Sequence, residues 1–356
     1  MTGKVILGKT GIEIKRLGFG GIPIQRVDER QAVETVIHAI ERGVDFIDTS
    51  RAYTTSETRI GMALRETGQG VILATKSLEQ SADKVRKDVE VSLKELKRDK
   101  IELYQCHFIK DFDAYHRVTS KGGALEGLLK ARDEGLIEHV GITSHNLDVL
   151  DRAINDGLFE TIMVCYSFLE FKAESTVIPK ALAKDIGVIV MKAFSGGVID
   201  NARLAIKYAL ALDGTAVIPG VESKEKFDEN WEVFLGDLTL DRKERQQIEA
   251  IRSEFDKQFC RRCDYCQPCP EGIPIQHVIG IKSIVKRMGS EALHSGWIKD
   301  GIDAARNCTG CGACMERCPY ELPIPDLIRE NIEWVEDQLN VFLPCYPQKV
   351  KPDENA

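Results

Sequence analysis

Eight short apolar runs alternate with amphipathic stretches from the N-terminus to about Leu240, and this alternation constrains the fold more than any other feature. The runs are apolar on both faces, as is typical of parallel strands covered on both sides. Between them, the segment 29–42 keeps its apolar residues at three- and four-residue spacing, which indicates a helix. The pattern predicts an α/β protein with a closed (β/α)8 barrel, and an open doubly wound sheet is the alternative. The predicted strands are 16–21, 44–49, 71–76, 101–107, 139–143, 161–166, 187–192 and 215–219.

Two changes of pattern divide the chain. Segments 5–7 and 12–14 flank a Gly-Lys-Thr-Gly turn and predict a hairpin that covers the floor of the barrel. After Asp241, a charged helix leads into a region rich in Cys, Pro and Gly. We therefore predict a barrel domain at 1–256, a small helical domain at 257–343, and a frayed polar tail at 344–356.

Charge and hydropathy exclude several classes of function. Among 356 residues, 48 Lys and Arg stand against 56 Asp and Glu, and the net charge of −8 argues against binding to a nucleic-acid backbone. No run of 18 or more uncharged apolar residues is present, and the N-terminus does not resemble a signal peptide. We expect a cytoplasmic protein with no membrane or nucleic-acid partner.

Eight of the 11 Cys residues fall in two short runs. Spacing of about three residues suits convergence on a metal better than cross-linking of distant segments, and it indicates a reducing compartment. The remaining Cys106, Cys165 and Cys345 are scattered, and the first two are expected to be buried. The runs are Cys260, Cys263, Cys266 and Cys269, and then Cys308, Cys311, Cys314 and Cys318.

The second run has the C-x2-C-x2-C-x3-C-P spacing of bacterial ferredoxins, and the first run, one residue shorter, also ends in Cys-Pro. We interpret the domain as ferredoxin-like, with two [4Fe–4S] clusters. The resemblance implies that the fourth ligands are exchanged, so that Cys318 joins the first three Cys of run one and Cys269 joins those of run two. A pair of zinc sites, each with four cysteine ligands, is the alternative.

Four ionisable residues lie at the ends of adjacent predicted strands: Asp48, Tyr53, Lys76 and His107. Because active sites of such barrels form at the C-terminal ends of the strands, these side chains are expected to meet in one mouth. Taken one at a time, each of these residues is more simply explained by a structural role than by a catalytic one. Together they favour a catalytic site. A buried Asp and a buried Lys are costly unless they pair with each other, and a Lys beside a Tyr lowers the pKa of the phenol.

At these residues the chain resembles the aldo-keto reductases. The segment 46–57, Phe-Ile-Asp-Thr-Ser-Arg-Ala-Tyr-Thr-Thr-Ser-Glu, is similar to the family signature F-x-D-T-A-x-x-Y-G-x-S-E, and the Lys and His motifs also fit. The resemblance implies that Tyr53 donates a proton, Lys76 tunes it, Asp48 holds Lys76, and His107 orients a carbonyl oxygen. Hydride would come from a nicotinamide, without a metal. The cysteines indicate a branch that carries a ferredoxin-type domain.

The residues expected to hold the nicotinamide match the family less closely. Thr143 and Ser144 lie in a loop that resembles the family's carboxamide-binding segment, while Met163 replaces the amide partner. Met191 and Lys192 fall near the position of the stacking aromatic residue. The glycines at 18–21 do not form a dinucleotide fingerprint, and Gly21 is interpreted as backbone close to the nicotinamide.

The segment 218–230 resembles the part of the family that closes on the adenine end of the cofactor. Asn230 matches the adenine contact, and Lys226 stands where a cation would hold a 2′-phosphate. Gly220 replaces a common Lys. The resemblance thus implies NADP as cofactor, or NAD.

Hydride transfer moves two electrons at once, whereas each cluster passes one electron, so the barrel site has no direct use for the clusters. Three hypotheses describe how the two domains could work together. In the first, the barrel reduces a small-molecule carbonyl, or oxidises an alcohol, and the clusters are structural or serve docking. In the second, the clusters relay electrons from a ferredoxin-like partner to a flavin in the barrel, which Met163 and Met191 motivate. In the third, the protein is a redox-sensing, nucleotide-binding interaction protein.

Overall fold

Eight parallel strands form a single sheet in which each strand pairs with the next strand along the chain. The computed structural model describes residues 3–342, without the side chains of residues 287, 288 and 340–342. A two-stranded antiparallel hairpin precedes the sheet. The hairpin strands are β1 (Lys4–Ile6) and β2 (Glu13–Lys15), and the sheet strands are β3 (Phe19–Gly20), β4 (Phe46–Asp48), β5 (Ile72–Ser77), β6 (Ile101–Cys106), β7 (Ile137–Ser144), β8 (Thr161–Cys165), β9 (Gly187–Met191) and β10 (Thr215–Val217).

Backbone contacts between the first and last strands close this sheet on itself. Leu17 forms a parallel bridge with Val217, and Gly20 forms one with Gly220. The amide of Gly18 donates to the carbonyl of Val217 at 2.9 Å. The (β/α)8 barrel predicted from the alternation is thus confirmed, and the open doubly wound sheet is wrong.

The strand bounds differ from the predicted bounds, most of all at β3, where two residues replace the predicted six. The reason is crowding at the seam. A Cβ on Gly18 would lie 2.9 Å from the Phe46 side chain, and a Cβ on Gly20 would lie 2.7 Å from the Pro219 carbonyl oxygen. Glycine lets the backbones approach this closely.

Helices cover the strands on the outside of the first unit. In α1, the Asp28 carboxylate caps the N-terminus by accepting from the Gln31 amide, and Ala32, Val36 and Ile40 are buried against the sheet. These residues repeat at spacings of four, which is the period of one helical face. The helices are α1 (Glu29–Glu41), α2 (Ser56–Thr67), α3 (Ala82–Leu96), α4 (Phe112–Thr119), α5 (Ala124–Asp133), α6 (Leu147–Asp156), α7 (Val177–Ala183), α8 (Ala202–Leu210), α9 (Lys224–Leu235) and α10 (Arg242–Phe255).

The hairpin packs at the N-terminal end of the barrel. Leu7 and Ile14 are fully buried and join an apolar cluster with interior side chains of the strands, among them Phe46 and Leu103. The amide of Lys9 donates to the carbonyl of Asp185, just before β9 begins. The hairpin therefore fills the barrel floor and leaves the C-terminal ends of the strands for a site.

Contacts divide the described chain into two compact units, one ending at Asp256 and one beginning at Lys257. The second unit is helical and has two apolar clusters, one of which includes Cys266 and Cys314. Its helices are α11 (Ile275–Ile279), α12 (Ile281–Met288), α13 (Gly296–Ala305), α14 (Ala313–Glu316) and α15 (Ile324–Phe342).

Two sequence predictions, the lack of a membrane span and the polar tail, relate to the structure in different ways. Within residues 3–342, no helix combines the length and the apolar character that crossing a bilayer requires. The tail predicted at 344–356, together with Cys345, lies outside the described residues.

Gly61 in α2 lies against the last turn of α3, and a Cβ there would stand 2.1 Å from the Glu95 carbonyl oxygen. We expect Gly61→Ala to lower the free energy of unfolding by about 1–3 kcal/mol, because overpacking outweighs the better helix propensity of Ala. Urea unfolding followed by circular dichroism measures the change. Gly70→Ala is the matched control, since nothing lies within 4 Å of its Cβ position. Equal midpoints for the two variants would contradict the packing argument.

Candidate active site and cysteine clusters

A buried ion pair lies at the C-terminal ends of β4 and β5. The Lys76 ammonium donates to Asp48 Oδ1 at 2.5 Å and to the Thr49 carbonyl at 2.7 Å. The Lys76 and Asp48 side chains are 1% and 4% exposed. The Gln105 amide donates to the other carboxylate oxygen, Oδ2, at 3.3 Å. Charges so deeply buried persist only when they are paired and hydrogen-bonded, and this pair meets both conditions.

The surroundings favour the charged form of Lys76. Burial alone would lower its pKa, but Asp48 and Tyr53 outweigh burial and hold the pKa above its ordinary value. Burial raises the pKa of the Asp48 carboxyl, while the Lys76 ammonium and the Gln105 amide oppose that rise. We conclude that Lys76 is an ammonium at neutral pH, with Asp48 as its counter-ion.

Tyr53 completes the group from the loop between β4 and α2. The Lys76 ammonium lies 5.1 Å from the centre of the Tyr53 ring, and Tyr53 helps to raise the pKa of Lys76. The Tyr53 and His107 rings meet edge to face with centres 5.7 Å apart. Tyr53 is half-buried, so a ligand in the barrel mouth has access to it. The structure thus brings Asp48, Tyr53, Lys76 and His107 together, as predicted from the strand ends.

His107 follows β6 directly and is held through one ring nitrogen. Its Nδ1 lies 3.0 Å from the Ser50 hydroxyl oxygen. Burial and the nearby Lys76 ammonium keep the pKa of His107 well below its ordinary value. The imidazole is therefore neutral near pH 7 and carries a single ring proton.

A buried network fixes the loop that carries Tyr53. Glu57 is 1% exposed and accepts a hydrogen bond from the Thr75 hydroxyl at 2.6 Å. Arg51 bridges Glu57 and Glu95, and its Nη1 lies 2.7 Å from the Glu95 carboxylate. The guanidinium thus connects the loop to α2 and α3, which limits the positions that Tyr53 can take.

The residues predicted to bind the nicotinamide carboxamide already serve the backbone. The Thr143 hydroxyl oxygen accepts from the Phe108 amide at 2.7 Å, and the Ser144 hydroxyl donates to the Ile109 carbonyl at 2.6 Å. Both hydroxyls therefore hold the loop after β6. Gly21 donates its amide to the Asp48 carbonyl at 2.8 Å, and a Cβ there would stand 3.0 Å from that same oxygen. The backbone at Gly21 thus passes directly beside the buried pair.

The two methionines lie at different depths of the barrel. Met163 is 1% exposed and belongs to the interior apolar cluster with Leu7 and Ile14, and Met191 is half-buried against the same cluster. Lys192 follows β9 with a φ of 62°, and its ammonium lies 3.4 Å from His145 Nδ1. Only Lys192 of these three brings a polar group to the C-terminal rim.

The predicted adenine-end residues lie around the start of α9. Lys226 pairs with Glu222, and Lys224 donates to Glu34 at 2.9 Å. Asn230 is 4% exposed within α9. A Cβ on Gly220 would stand 2.8 Å from the Pro23 ring, so close packing against Pro23 explains why a glycine is found at this position. Both lysines thus already have carboxylate partners.

The cysteines of the second unit form two groups that draw on both runs. Cys269 lines one cavity together with Cys308, Cys311 and Cys314. In the other group, burial raises the pKa of Cys263 to about 11, and the neighbouring thiols of Cys260 and Cys318 contribute to the rise. Burial, followed by Cys260 among its neighbours, raises the pKa of Cys266 to about 12. Thiols crowded in this way become thiolates only when a metal centre stabilises them.

The two cysteine loops share a backbone pattern. In the first run, Arg262 and Asp264, two and four residues after the first Cys, have φ values of 57° and 67°. In the second run, Gly310 and Gly312 occupy the same offsets with φ values of 69° and 79°. Left-handed residues at both offsets curl each loop around a centre, and the Arg262 amide donates to Cys260 Sγ at 3.4 Å.

The sequence did not single out several residues that the structure places around the group. Ser50 and Gln105 contact His107 and Asp48, and the Arg51–Glu57 pair anchors the Tyr53 loop. Glu57 does belong to the signature motif, but its partners depend on strand register. The one available signal was Ser50, which stands where the family signature has Ala.

We expect Asp48→Asn to lower the free energy of unfolding by about 3–5 kcal/mol, because it leaves the buried Lys76 ammonium without a counter-ion. The double variant Asp48→Asn/Lys76→Met should recover part of this loss, since it removes both charges. Urea unfolding measures both changes. Glu13→Gln, which breaks the exposed pair with Lys4 at 2.6 Å, is the control and should leave the midpoint unchanged. A midpoint of Asp48→Asn equal to that of the wild type would contradict the ion-pair assignment.

Comparison with known proteins agrees with both units. The model of the aldo/keto reductase family matches residues 16–203, and a 4Fe–4S dicluster domain matches residues 259–323. The protein named L-galactose dehydrogenase from Arabidopsis thaliana is 26% identical over 298 residues, which cover 69% of this chain and 92% of that protein. The aldo-keto reductase YhdN from Bacillus subtilis is 29% identical over 212 residues, which cover 54% of this chain and 62% of that protein.

Solved structures show the same barrel. The aldo-keto reductase AKR11C1 from Bacillus halodurans superposes with a TM-score of 0.61 at 24% identity, covering 70% of this chain and 96% of that chain. A putative aldo-keto reductase from Pseudomonas aeruginosa gives a TM-score of 0.57 at 29% identity, covering 65% of this chain and 93% of that chain. Since the family model alone spans more than half of the sequence, the protein is a member of the aldo/keto reductase family, with a C-terminal 4Fe–4S dicluster domain.

Proposed function

We propose that the barrel catalyses the nicotinamide-dependent reduction of a small-molecule carbonyl, or the reverse oxidation of an alcohol, with Tyr53 as the general acid. The buried Lys76 ammonium, paired with Asp48 and 5.1 Å from the centre of the Tyr53 ring, is the observation that carries the proposal. A phenol beside a fixed positive charge gives up its proton more readily than a phenol in water. The family membership supports the same assignment.

We propose that the mouth of the barrel takes a nicotinamide cofactor. Gly21 donates its amide to the Asp48 carbonyl, which places its backbone beside the buried pair, and β9 ends at Met191, directly before Lys192. We propose that these residues, with Thr143 and Ser144, hold the nicotinamide end, while Gly220, Lys226 and Asn230 hold the adenine end and Met163 packs beneath. When bound, this cofactor supplies or accepts a hydride. Since Lys226 is paired with Glu222, both NADP and NAD belong in the test.

Each of the four residues then has one task. Tyr53 gives its hydroxyl proton to the carbonyl oxygen as the alcohol forms. Lys76 stabilises the phenolate that remains, and Asp48 keeps Lys76 charged and in place. Neutral His107 positions the same oxygen by a hydrogen bond from its free ring nitrogen. The relative named for L-galactose supports testing sugars among the substrates.

We further propose that the second unit holds two [4Fe–4S] clusters. Cys269, Cys308, Cys311 and Cys314 line one cavity, and this set supports exchanged fourth ligands. Cys260, Cys263, Cys266 and Cys318 would hold the other cluster. The C-x2-C-x2-C-x3-C-P spacing and the match to a 4Fe–4S dicluster domain favour clusters over zinc. In this proposal the barrel reduces its substrate without electrons from the clusters.

The alternative is that the clusters relay electrons between a ferredoxin-like partner and a flavin or nicotinamide in the barrel. The presence of two cysteine groups in one small unit favours it, because two adjacent clusters are suited to passing single electrons onward. The two proposals differ in whether reduced cofactor changes the clusters.

We expect Tyr53→Phe to reduce the turnover of 4-nitrobenzaldehyde with NADPH or NADH by about 10²- to 10⁴-fold, because the proton donor is lost. Absorbance of the cofactor at saturating aldehyde measures the rate. Tyr115→Phe is the control, since that hydroxyl donates to Asp156 at 2.9 Å within the helical layer. Unchanged turnover in Tyr53→Phe would remove Tyr53 from the mechanism.

We expect anaerobically purified protein to be brown, with a band near about 400 nm, and to contain roughly eight iron atoms. NADPH should leave the band unchanged, and Cys311→Ala should lose about half of the iron while aldehyde reduction continues. Cys165→Ala, a buried barrel residue, is the control and should keep all the iron. Bleaching by NADPH would favour the relay, and a colourless protein that contains zinc would overturn the cluster proposal.

A further inference from the structure

Ser50 is a buried hydroxyl that lies between the backbone of β5 and the His107 ring. It is 1% exposed and follows β4 by two residues. Its Oγ lies 3.0 Å from the Lys76 carbonyl oxygen and 3.0 Å from His107 Nδ1. It also accepts a hydrogen bond from the Ala52 amide at 3.1 Å.

Counting protons leaves two arrangements of these groups. The hydroxyl has one hydrogen, and the Lys76 carbonyl can only accept it, whereas Nδ1 of a neutral imidazole can either donate or accept. In the first arrangement, Ser50 donates to Lys76 and accepts from Nδ1–H, so that Nε2 carries a lone pair. In the second, Ser50 donates to Nδ1, so that Nε2 carries the proton.

The surrounding contacts decide between them. The first arrangement uses the hydrogen of Ser50 and both of its acceptor sites, and it makes one more hydrogen bond than the second. The second remains accessible, because the Lys76 carbonyl keeps a hydrogen bond from the Arg51 amide at 3.0 Å. Its cost is therefore one hydrogen bond, without an unsatisfied buried carbonyl.

We propose that Ser50 is a positioning residue that sets the orientation and the tautomer of His107. In the free protein, Nδ1–H donates to Ser50. When a carbonyl oxygen lies against Nε2, the hydroxyl turns from Lys76 to Nδ1, one proton leaves Nδ1 for water, and one proton from water joins Nε2. The second half of this proposal rests on the proposed carbonyl reduction, whereas the first half does not.

At Ser50 the chain departs from the family signature that it resembles. The family signature that segment 46–57 resembles has Ala at the position of Ser50, and Ala has no hydroxyl to hold an imidazole nitrogen. In the resting tautomer, His107 offers an acceptor to the mouth. A carbonyl oxygen needs a donor, and His107 offers Nε2–H only after that oxygen is bound. In the resting protein, the Nε2 lone pair can instead accept a hydrogen bond from a hydroxyl group.

Long-range ¹H–¹⁵N NMR on full-length protein labelled with ¹⁵N-histidine reads the tautomer directly, and His107→Gln identifies the signal. We expect Nδ1–H in the free wild type, and Nε2–H after addition of NADP and 4-nitrobenzaldehyde, a mixture that cannot turn over. Ser50→Ala should abolish the preference of the free protein for Nδ1–H, and Ser50→Thr should restore it. Ser92→Ala, a buried hydroxyl near Tyr104, is the control and should leave the signal unchanged.

Kinetics provide the second readout. Ser50→Ala should lower kcat by at least about tenfold with a smaller change in KM, because a mispositioned imidazole acts on the transition state more than on binding. Identical His107 signals in wild type and Ser50→Ala would overturn the role of Ser50. If the signals differ but wild type does not reduce the aldehyde, the proposed function fails and the role of Ser50 stands.

Discussion

The ion pair between Lys76 and Asp48 is the interaction on which the rest of the barrel site depends. Burying two charges in an apolar interior is costly. Strands β4 and β5 hold the two groups 2.5 Å apart, so that their attraction offsets the loss of hydration. The same ammonium donates to the Thr49 carbonyl and lies 5.1 Å from the centre of the Tyr53 ring. A single cation thus couples a strand end, a carboxylate and the phenol of a loop residue, and none of these contacts can move independently of the others.

Around this pair, buried polar contacts form a second layer that is as specific as the first. Gln105 reaches the far oxygen of Asp48, and Glu57 joins Thr75 to Arg51. Strands supply some of these groups and the loop after β4 supplies the others, so the register of the sheet determines which of them meet. The precision of the site is therefore a property of the barrel rather than of one loop.

The sequence predicted the barrel and the four central residues for a physical reason. Apolar runs buried on both faces are visible in a linear sequence, and the end of such a run marks the mouth of a barrel. The contacts of Ser50 and Gln105 were not visible, because they depend on which residues of β4, β5 and β6 lie side by side. The short β3 was missed because the close approach of Gly20 to Pro219 depends on barrel closure.

The pairing of cysteines across the two runs has a consequence for biogenesis. If Cys269 completes the set of the second run and Cys318 that of the first, neither run supplies a finished binding site by itself. Metal loading of the first set then has to wait until residue 318 has been synthesised, although its first three cysteines leave the ribosome long before, and the arrival of one inorganic core preorganises the loop that receives the other. Such interlocking makes cofactor insertion cooperative, and it ties the folding of this segment to the supply of iron and sulfide in the cell.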